Sequence, residues 1–370
     1  MLRQPSEARG KFVESLETRR LLAVSMTADG WTNITPSSTS RLIYVSSSTG
    51  SDSNPGTQAK PIKSLAKAKT LVRDKSADQV LLKRGDTWNE SFGDWTVSGK
   101  SAQEMILIGA YGTGARPKIY SGNNMGITLA QKYSLPLNNV AIIGLEFFAN
   151  TFNGSNGSFK TSGIRVMRGG SNVIIEDNYI RGYKDNITLD TDYAFNGLKV
   201  RRNVIADSYK VGSTGGSHSQ GLYGGPNLRN TLIEENIFDH NGHKAGVRGA
   251  GATMFNHSVY MQTGSTGTIV RNNIIARSSM RAILLRGGGV AEGNLLVRNP
   301  VGIQAGNGST TANNNVILEG NDLPVQQLGK GIEVFSMNTF NARNNIIAHD
   351  ISTGIYNNIA FNIQGGVGTG

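Results

Sequence analysis

The sequence predicts a parallel β-helix, a solenoid in which short strands stack turn upon turn. Two observations carry the prediction. Seven asparagines, Asn178, Asn203, Asn236, Asn273, Asn294, Asn315 and Asn345, each have a small or apolar residue three positions before and two apolar residues after. Their spacings are 25, 33, 37, 21, 21 and 30 residues, a floor near 21 with variable excess, as expected for turns with loops inserted into some of them. A second strand follows each asparagine, alternating with Ile187/Leu189, Val259/Met261, Ile283/Leu285 and Ile332/Val334 inward. Two such strands per turn and about ten turns account for the chain. A helical reading fails, because β-branched residues, Gly and Asn fill these windows.

Composition agrees. The 370 residues include 47 Gly, which suits many tight turns, and a solenoid core grows by stacking rather than by thickening. No stretch approaches the ~20 apolar residues of a membrane-spanning helix. The absence of cysteine excludes disulfides, Cys-ligated zinc and cysteine nucleophiles. The net charge is +11, and residues 41–370 carry most of it. Such a body favours acidic partners. With no long Lys/Arg run and no RNA-binding signature, acidic polysaccharide is expected and nucleic acid is not.

Residues 1–40 read as a leader, disordered or targeting, without the apolar run of ~7–15 residues that a standard secretory signal needs. Within it, FVESLETRRLLAVS (residues 12–25) resembles the short N-terminal Leu-Glu-Pro-Arg-x-Leu-Leu motif of some bacterial surface and secreted proteins, with Thr18 replacing the Pro. Residues 41–78 read as a cap: an entry strand over 42–45, a Gly/Ser/Asn/Pro loop, and a helix with Ser64 at its N-cap and Leu65, Ala68 and Leu71 on one face. A first turn without such a cover would expose core and strand edge. Turns then fill residues 79–363 of a single domain, 41–370.

The opening, continued through QVLLKRGDTWNESF (residues 79–92) and ILIGAYGTGARPKIYSG (residues 106–122), resembles right-handed parallel β-helix proteins of the pectate-lyase-like superfamily, over most of residues 42–360. The resemblance implies a right-handed solenoid. It does not fix a reaction.

The repeated asparagines are expected to be structural. A turn between strands must often enter left-handed backbone space, which Asn tolerates, and stacked amides can hydrogen-bond between turns. Gly144 is read as the early-turn equivalent. Two residues before each Asn stand Glu176, Arg201, Glu234, Arg271, Glu292, Asn313 and Arg343, nearly alternating in sign. They are expected to form a solvent-facing ion ladder, which sets register and is a poor place for catalysis.

Function is expected where the turns lengthen. From the Asn to the next inward strand residue the count is 9 or 10 in three turns, but 19 before Leu222, 23 before Val259 and 17 before Ile332. Repeat proteins place such insertions where they bind. Loops 207–220 and 239–256 adjoin one another and hold His218, His240, His243, Lys244 and Arg248. Aligned by inward residues, the strands beside them place Gln220, His257, Arg281 and Val301 in one corner column and Tyr223, Tyr260, Leu284 and Gln304 in the next. Gln262 and Arg286 fall in a third, with Asp190 two turns before Gln262.

Aromatic, amide and basic side chains suit a sugar chain: rings stack on sugar faces, amides bind hydroxyls and Arg pairs with carboxylate or sulfate. The substrate-binding candidates are His218, Tyr223, His243, Lys244, Arg248, Gln262 and Gln304. β-Elimination of a uronate needs a neutraliser for the carboxylate, a base for the C5 proton and an acid for the leaving oxygen. Arg281 or Arg286 fits the first role, His257 and Tyr260 the other two. Calcium-dependent lyases of this fold use clustered carboxylates; the densest group here is Asp185, Asp190 and Asp192, whose oxygens could take Ca2+. No pair of carboxylates set for glycoside hydrolysis is evident. The expectation is a secreted or surface, monomeric, carbohydrate-interacting protein, in first place a lyase on acidic glycans. A non-catalytic binding or display module, or a hydrolase or epimerase on the same scaffold, are the alternatives.

Overall fold

The computed structural model describes residues 24–129, 136–155, 161–212, 218–323, 328–335, 338–349 and 359–364. The chain winds as a right-handed parallel β-helix with three strands, not two, in each turn. One turn runs Gly170–Glu176, Tyr179–Arg181 and Asp185–Leu189; the next runs Lys199–Arg201, Val204–Ala206 and Gln220–Gly224. Ten such turns lie between Gln79–Lys83 and Ile359–Gln364, stacking into one 13-stranded and two 10-stranded sheets. The third strand was hidden because each asparagine motif contains a corner, so its halves belong to the first and second sheets.

The core is three columns of stacked side chains. Ile142, Ile175, Val200, Ile233, Val270, Ala291 and Ala312 are in register along the first sheet. Phe147, Ile180, Ile205, Phe238, Ile275, Leu296 and Ile317 line the second. Ile164, Ile187, Leu222, Val259, Ile283, Ile303 and Ile332 line the third. All are buried.

At the corner between the first two sheets, each asparagine turns inward. Asn203 Nδ2 donates to Asn236 Oδ1 at 3.0 Å, and the pattern repeats from Asn178 to Asn345. The left-handed residue is the one before it: Asp177, Arg202, Glu235, Asn272, Gly293, Asn314 and Asn344 all have φ between 54° and 63°. So the asparagine is selected for its amide, not for its backbone. Gly144 corresponds to Asp177, and Leu145 holds the asparagine position, its N–H donating to Asn178 Oδ1 at 3.0 Å.

The helix Leu65–Leu71 caps the first turns. Its N-cap Ser64 accepts from Lys67 N–H, and Leu65 and Ala68 are buried in the main core. Within the stretch read as a leader, residues 24–34 form an antiparallel hairpin, Val24–Met26 with Thr32–Ile34, packed on the outer face of the first sheet. The motif at residues 12–25 lies, up to residue 23, outside the described residues. The hairpin also changes the ion column. The column exists in the expected register, with Arg201 Nε 3.2 Å from Glu234 and 3.7 Å from Glu176. Its upper end is buried, because Thr32 N–H donates to Glu176 at 2.9 Å and Arg201 donates to the Gly30 carbonyl at 3.1 Å.

Candidate functional site: a cleft on the third sheet

The columns counted from the sequence are those of the third sheet. Asp185, Gln220 and His257 pair in register, as do Arg281 and Val301 one turn on. Thr188, Tyr223, Tyr260, Leu284, Gln304 and Glu333 form the outward column. A cleft of about 310 Å³ opens over it, lined by Lys184, Asp185, His218, Gln220, Tyr223, Tyr260 and Gln262. Stacking at the strand spacing sets the Tyr223 and Tyr260 rings edge to face, 5.4 Å between centroids. The Tyr260 hydroxyl donates to Gln262 Oε1 at 3.3 Å, and the exposed Arg286 guanidinium lies over the Tyr260 ring at 5.5 Å.

Burial pushes the Tyr223 phenol up to about 12, helped by the nearby Asp190 charge, so it stays protonated. His218 stacks on Phe255, planes 15° apart and centroids 5.0 Å. Burial, with Lys184 and Lys210 nearby, holds its imidazole below the ordinary range. Its Nδ1 is buried without a hydrogen-bond partner among the described residues.

The four residues expected to catalyse do not all converge. Tyr260 lines the cleft, and Arg286, which is not among the described lining residues, reaches over its ring. His257 is buried beneath, its ring 5.5 Å from the Tyr260 ring, and its Nδ1 accepts the Arg281 main-chain N–H at 3.4 Å. Burial first, then the Arg281 and Arg286 charges, drives the His257 imidazole well below its usual range. The Arg281 guanidinium is already engaged, donating to the Met254 carbonyl at 3.2 Å and to Glu333 at 3.4 Å.

Of the binding candidates, His218, Tyr223 and Gln262 line the cleft and Gln304 lies two strands beyond Tyr260. The first half of loop 239–256 turns toward the second sheet. There His243 Nε2 bonds the Arg277 carbonyl at 2.8 Å and Lys244 Nζ sits 4.4 Å from the Tyr209 ring. These two and the exposed Arg248 are not among the described residues that line the cleft. Counting missed Lys184, a buried corner residue 3.8 Å from Asp185; it stands one place before the Asp185–Gln220–His257 column and could have been found by extending that count.

The calcium expectation is corrected. Asp185 opens its strand and Asp190 follows its end, about 16 Å apart along an extended chain. Asp185 Oδ1 accepts the Gln220 N–H at 2.8 Å, and Asp192 pairs with Arg168. Among the described residues no three acidic or histidine side chains gather as a metal site.

No family model matches the chain, and no curated protein matches it. Solved structures of similar fold include an alginate lyase from Paenibacillus sp. str. FPU-7 at 13% identity, covering 84% of this chain and 98% of that one, TM-score 0.48. A pectate lyase matches at 16% identity over 83% of this chain and 80% of its own, TM-score 0.45. The GH136 lacto-N-biosidase from Eubacterium ramulus matches at 15% identity over 82% of this chain, TM-score 0.46, and the chain spans 55% of it. The likeness is one of fold.

Proposed function

We propose that the chain binds an acidic, uronate-containing polysaccharide on the outer face of the third sheet, outside the cell or at its surface, and cleaves it by β-elimination. The observation that carries this reading is the content of the cleft and its margin: a neutral imidazole, a protonated phenol, Lys184 beside a single carboxylate, and the exposed Arg286 over the Tyr260 ring. Arg286 pairs with the uronate carboxylate and stabilises charge developing beside C5. Neutral His218 takes the C5 proton, the electron pair forms the C4–C5 double bond, and the C4–O bond breaks. Tyr223 gives its proton to the departing oxygen. His218 replaces His257 as base, because His257 lies under the surface with its Nδ1 occupied.

Hydrolysis fits less well. It needs two carboxylates across the bond, and Asp185 is the one carboxylate among the described lining residues. The test is incubation with polygalacturonate, alginate and a sulfated uronan while following ultraviolet absorbance of the unsaturated product. Product should form with one of them, and His218→Ala or Tyr223→Phe should slow it at least about 100-fold. Salt-sensitive retention with no product would sink elimination and leave binding alone.

A further inference from the structure

We infer that Phe255 is a second sugar-stacking platform at the rim of this cleft, and that Arg281 is the residue that positions it. The inference rests on the glycan reading above and adds a subsite to it. Phe255 is 41% exposed and Met254 45%, yet their segment is pinned. Gln220 Nε2 donates to the Phe255 carbonyl at 3.0 Å, Arg281 donates to the Met254 carbonyl at 3.2 Å, and Thr253 exchanges hydrogen bonds with the Ser279 hydroxyl at 2.7 and 2.9 Å.

A mobile loop would fold such a ring away; here the main chain is held on both sides and the ring stays in water. One face of Phe255 lies against His218, which itself lines the cleft. The part of Phe255 left exposed is apolar ring surface beside a cleft-lining residue, suited to the C–H face of a sugar ring.

Arg281 is set for this task from behind. Its guanidinium bridges Met254 and the buried Glu333, which Lys330 at 2.6 Å and Asn362 at 3.1 Å also hold. Held between the Met254 carbonyl and Glu333, the Arg281 guanidinium is committed to the loop tip rather than turned toward substrate. This explains why a basic residue in the predicted catalytic set turns away from the cleft.

The experiment measures affinity of the full chain for polygalacturonate, alginate and a neutral β-glucan by titration. Phe255→Ala should weaken binding of the preferred glycan by roughly three- to tenfold. Phe255→Leu should lose as much and Phe255→Trp should not, because a ring is required rather than apolar bulk. Arg281→Met should weaken binding in the same direction, and the double variant with Phe255→Ala should be no worse than Phe255→Ala alone.

Unchanged affinity in Phe255→Ala, or wild-type affinity in Phe255→Leu, overturns the platform. Additive losses in the double variant overturn the positioning role. Preference for the neutral glucan would sink the acidic-substrate reading while still scoring Phe255, and binding to none of the three would sink both. Phe255 is a surface residue, so the test survives if the Arg281 variant does not fold.

Discussion

Asn203 donates through its side-chain Nδ2 and its main-chain N–H to the same oxygen, Oδ1 of Asn236, each at 3.0 Å. Asn236 in turn donates to the Val200 carbonyl at 2.9 Å and to Asn273. One amide thus satisfies polar groups of the turns before and after its own, tying three consecutive turns together in the buried corner. Asn236→Ala leaves the Asn203 N–H groups and the Val200 carbonyl short of partners and opens a void. The expected cost is about 2–4 kcal/mol, read as a lower urea midpoint. Asn236→Asp should do no better, since a carboxylate keeps the acceptor, loses the donor and buries a charge. A midpoint unchanged in either variant would show that the ladder marks register without holding the turns.

The hairpin makes a second prediction. Glu176 is fully buried, and Thr32 supplies both a main-chain N–H and a hydroxyl to its carboxylate, at 2.9 and 2.5 Å. Arg201 contributes at 3.7 Å, too far to replace them. Thr32→Val removes the hydroxyl from a charged acceptor at nearly constant volume and should destabilise by about 1–3 kcal/mol. The hairpin should also become easier to cleave with protease near Gly30, ahead of global unfolding. Equal protease resistance in variant and wild type would argue against the hairpin depending on this contact.

Stability should depend on pH in two windows. The His218, His243 and His257 imidazoles all lie below their ordinary value of 6.5, burial being the first cause for each. Below that value the unfolded chain takes up protons that the folded chain refuses, so stability falls as pH falls. The second window is set by carboxylates held below 3.8, Asp78 together with Asp52, Asp86 and Asp239. Burial alone would raise the Asp78 carboxyl, but hydrogen bonds from the Arg73 guanidinium and from the Arg73 and Arg41 main-chain N–H groups outweigh it and hold it below 3.8. That contribution is complete above 3.8 and is lost as pH falls through the folded value. Urea midpoints should therefore drop from about pH 7 to about pH 5 and again in stronger acid. His257→Asn should shrink the first drop and Arg73→Met the second. A midpoint independent of pH between neutrality and about pH 5 would contradict the burial of the imidazoles.

These relationships were legible to different degrees. The asparagine motif repeats seven times, with a charged residue two places before it in six, and repetition turns weak local signals into register, so the columns of the third sheet could be counted residue by residue. Burial could not be counted. Nothing near Glu176 in sequence announces that Thr32, 144 residues earlier, covers it; strands of three residues such as Val24–Met26 carry too few alternations to be seen. Arg281 looked free because its partners, Met254 and Glu333, come from an inserted loop and from a strand two turns on. The aspartates looked clustered because nearness in sequence is not nearness along an extended strand.

Arg286 is the cation on which the acidic-glycan reading most depends. It is exposed, lies over the Tyr260 ring and makes no ion pair among the described residues, so its charge remains available to a ligand. A guanidinium meeting a carboxylate in two parallel bonds is among the stronger surface contacts. Arg286→Ala should therefore weaken uronan binding by roughly 10- to 100-fold and flatten its salt dependence. Arg286→Lys should recover the salt dependence but only part of the affinity, because an ammonium keeps the charge and loses the fork. The matched control is Arg343→Ala, which removes an exposed charge from the first-sheet column on a different face of the helix and should change neither quantity. Because Arg286 is exposed, its replacement should leave the urea midpoint nearly unchanged, so a loss of binding with an intact fold can be assigned to the site. If Arg286→Ala and Arg343→Ala weaken retention equally, binding follows net charge alone, and the third-sheet cleft is not where the polymer sits.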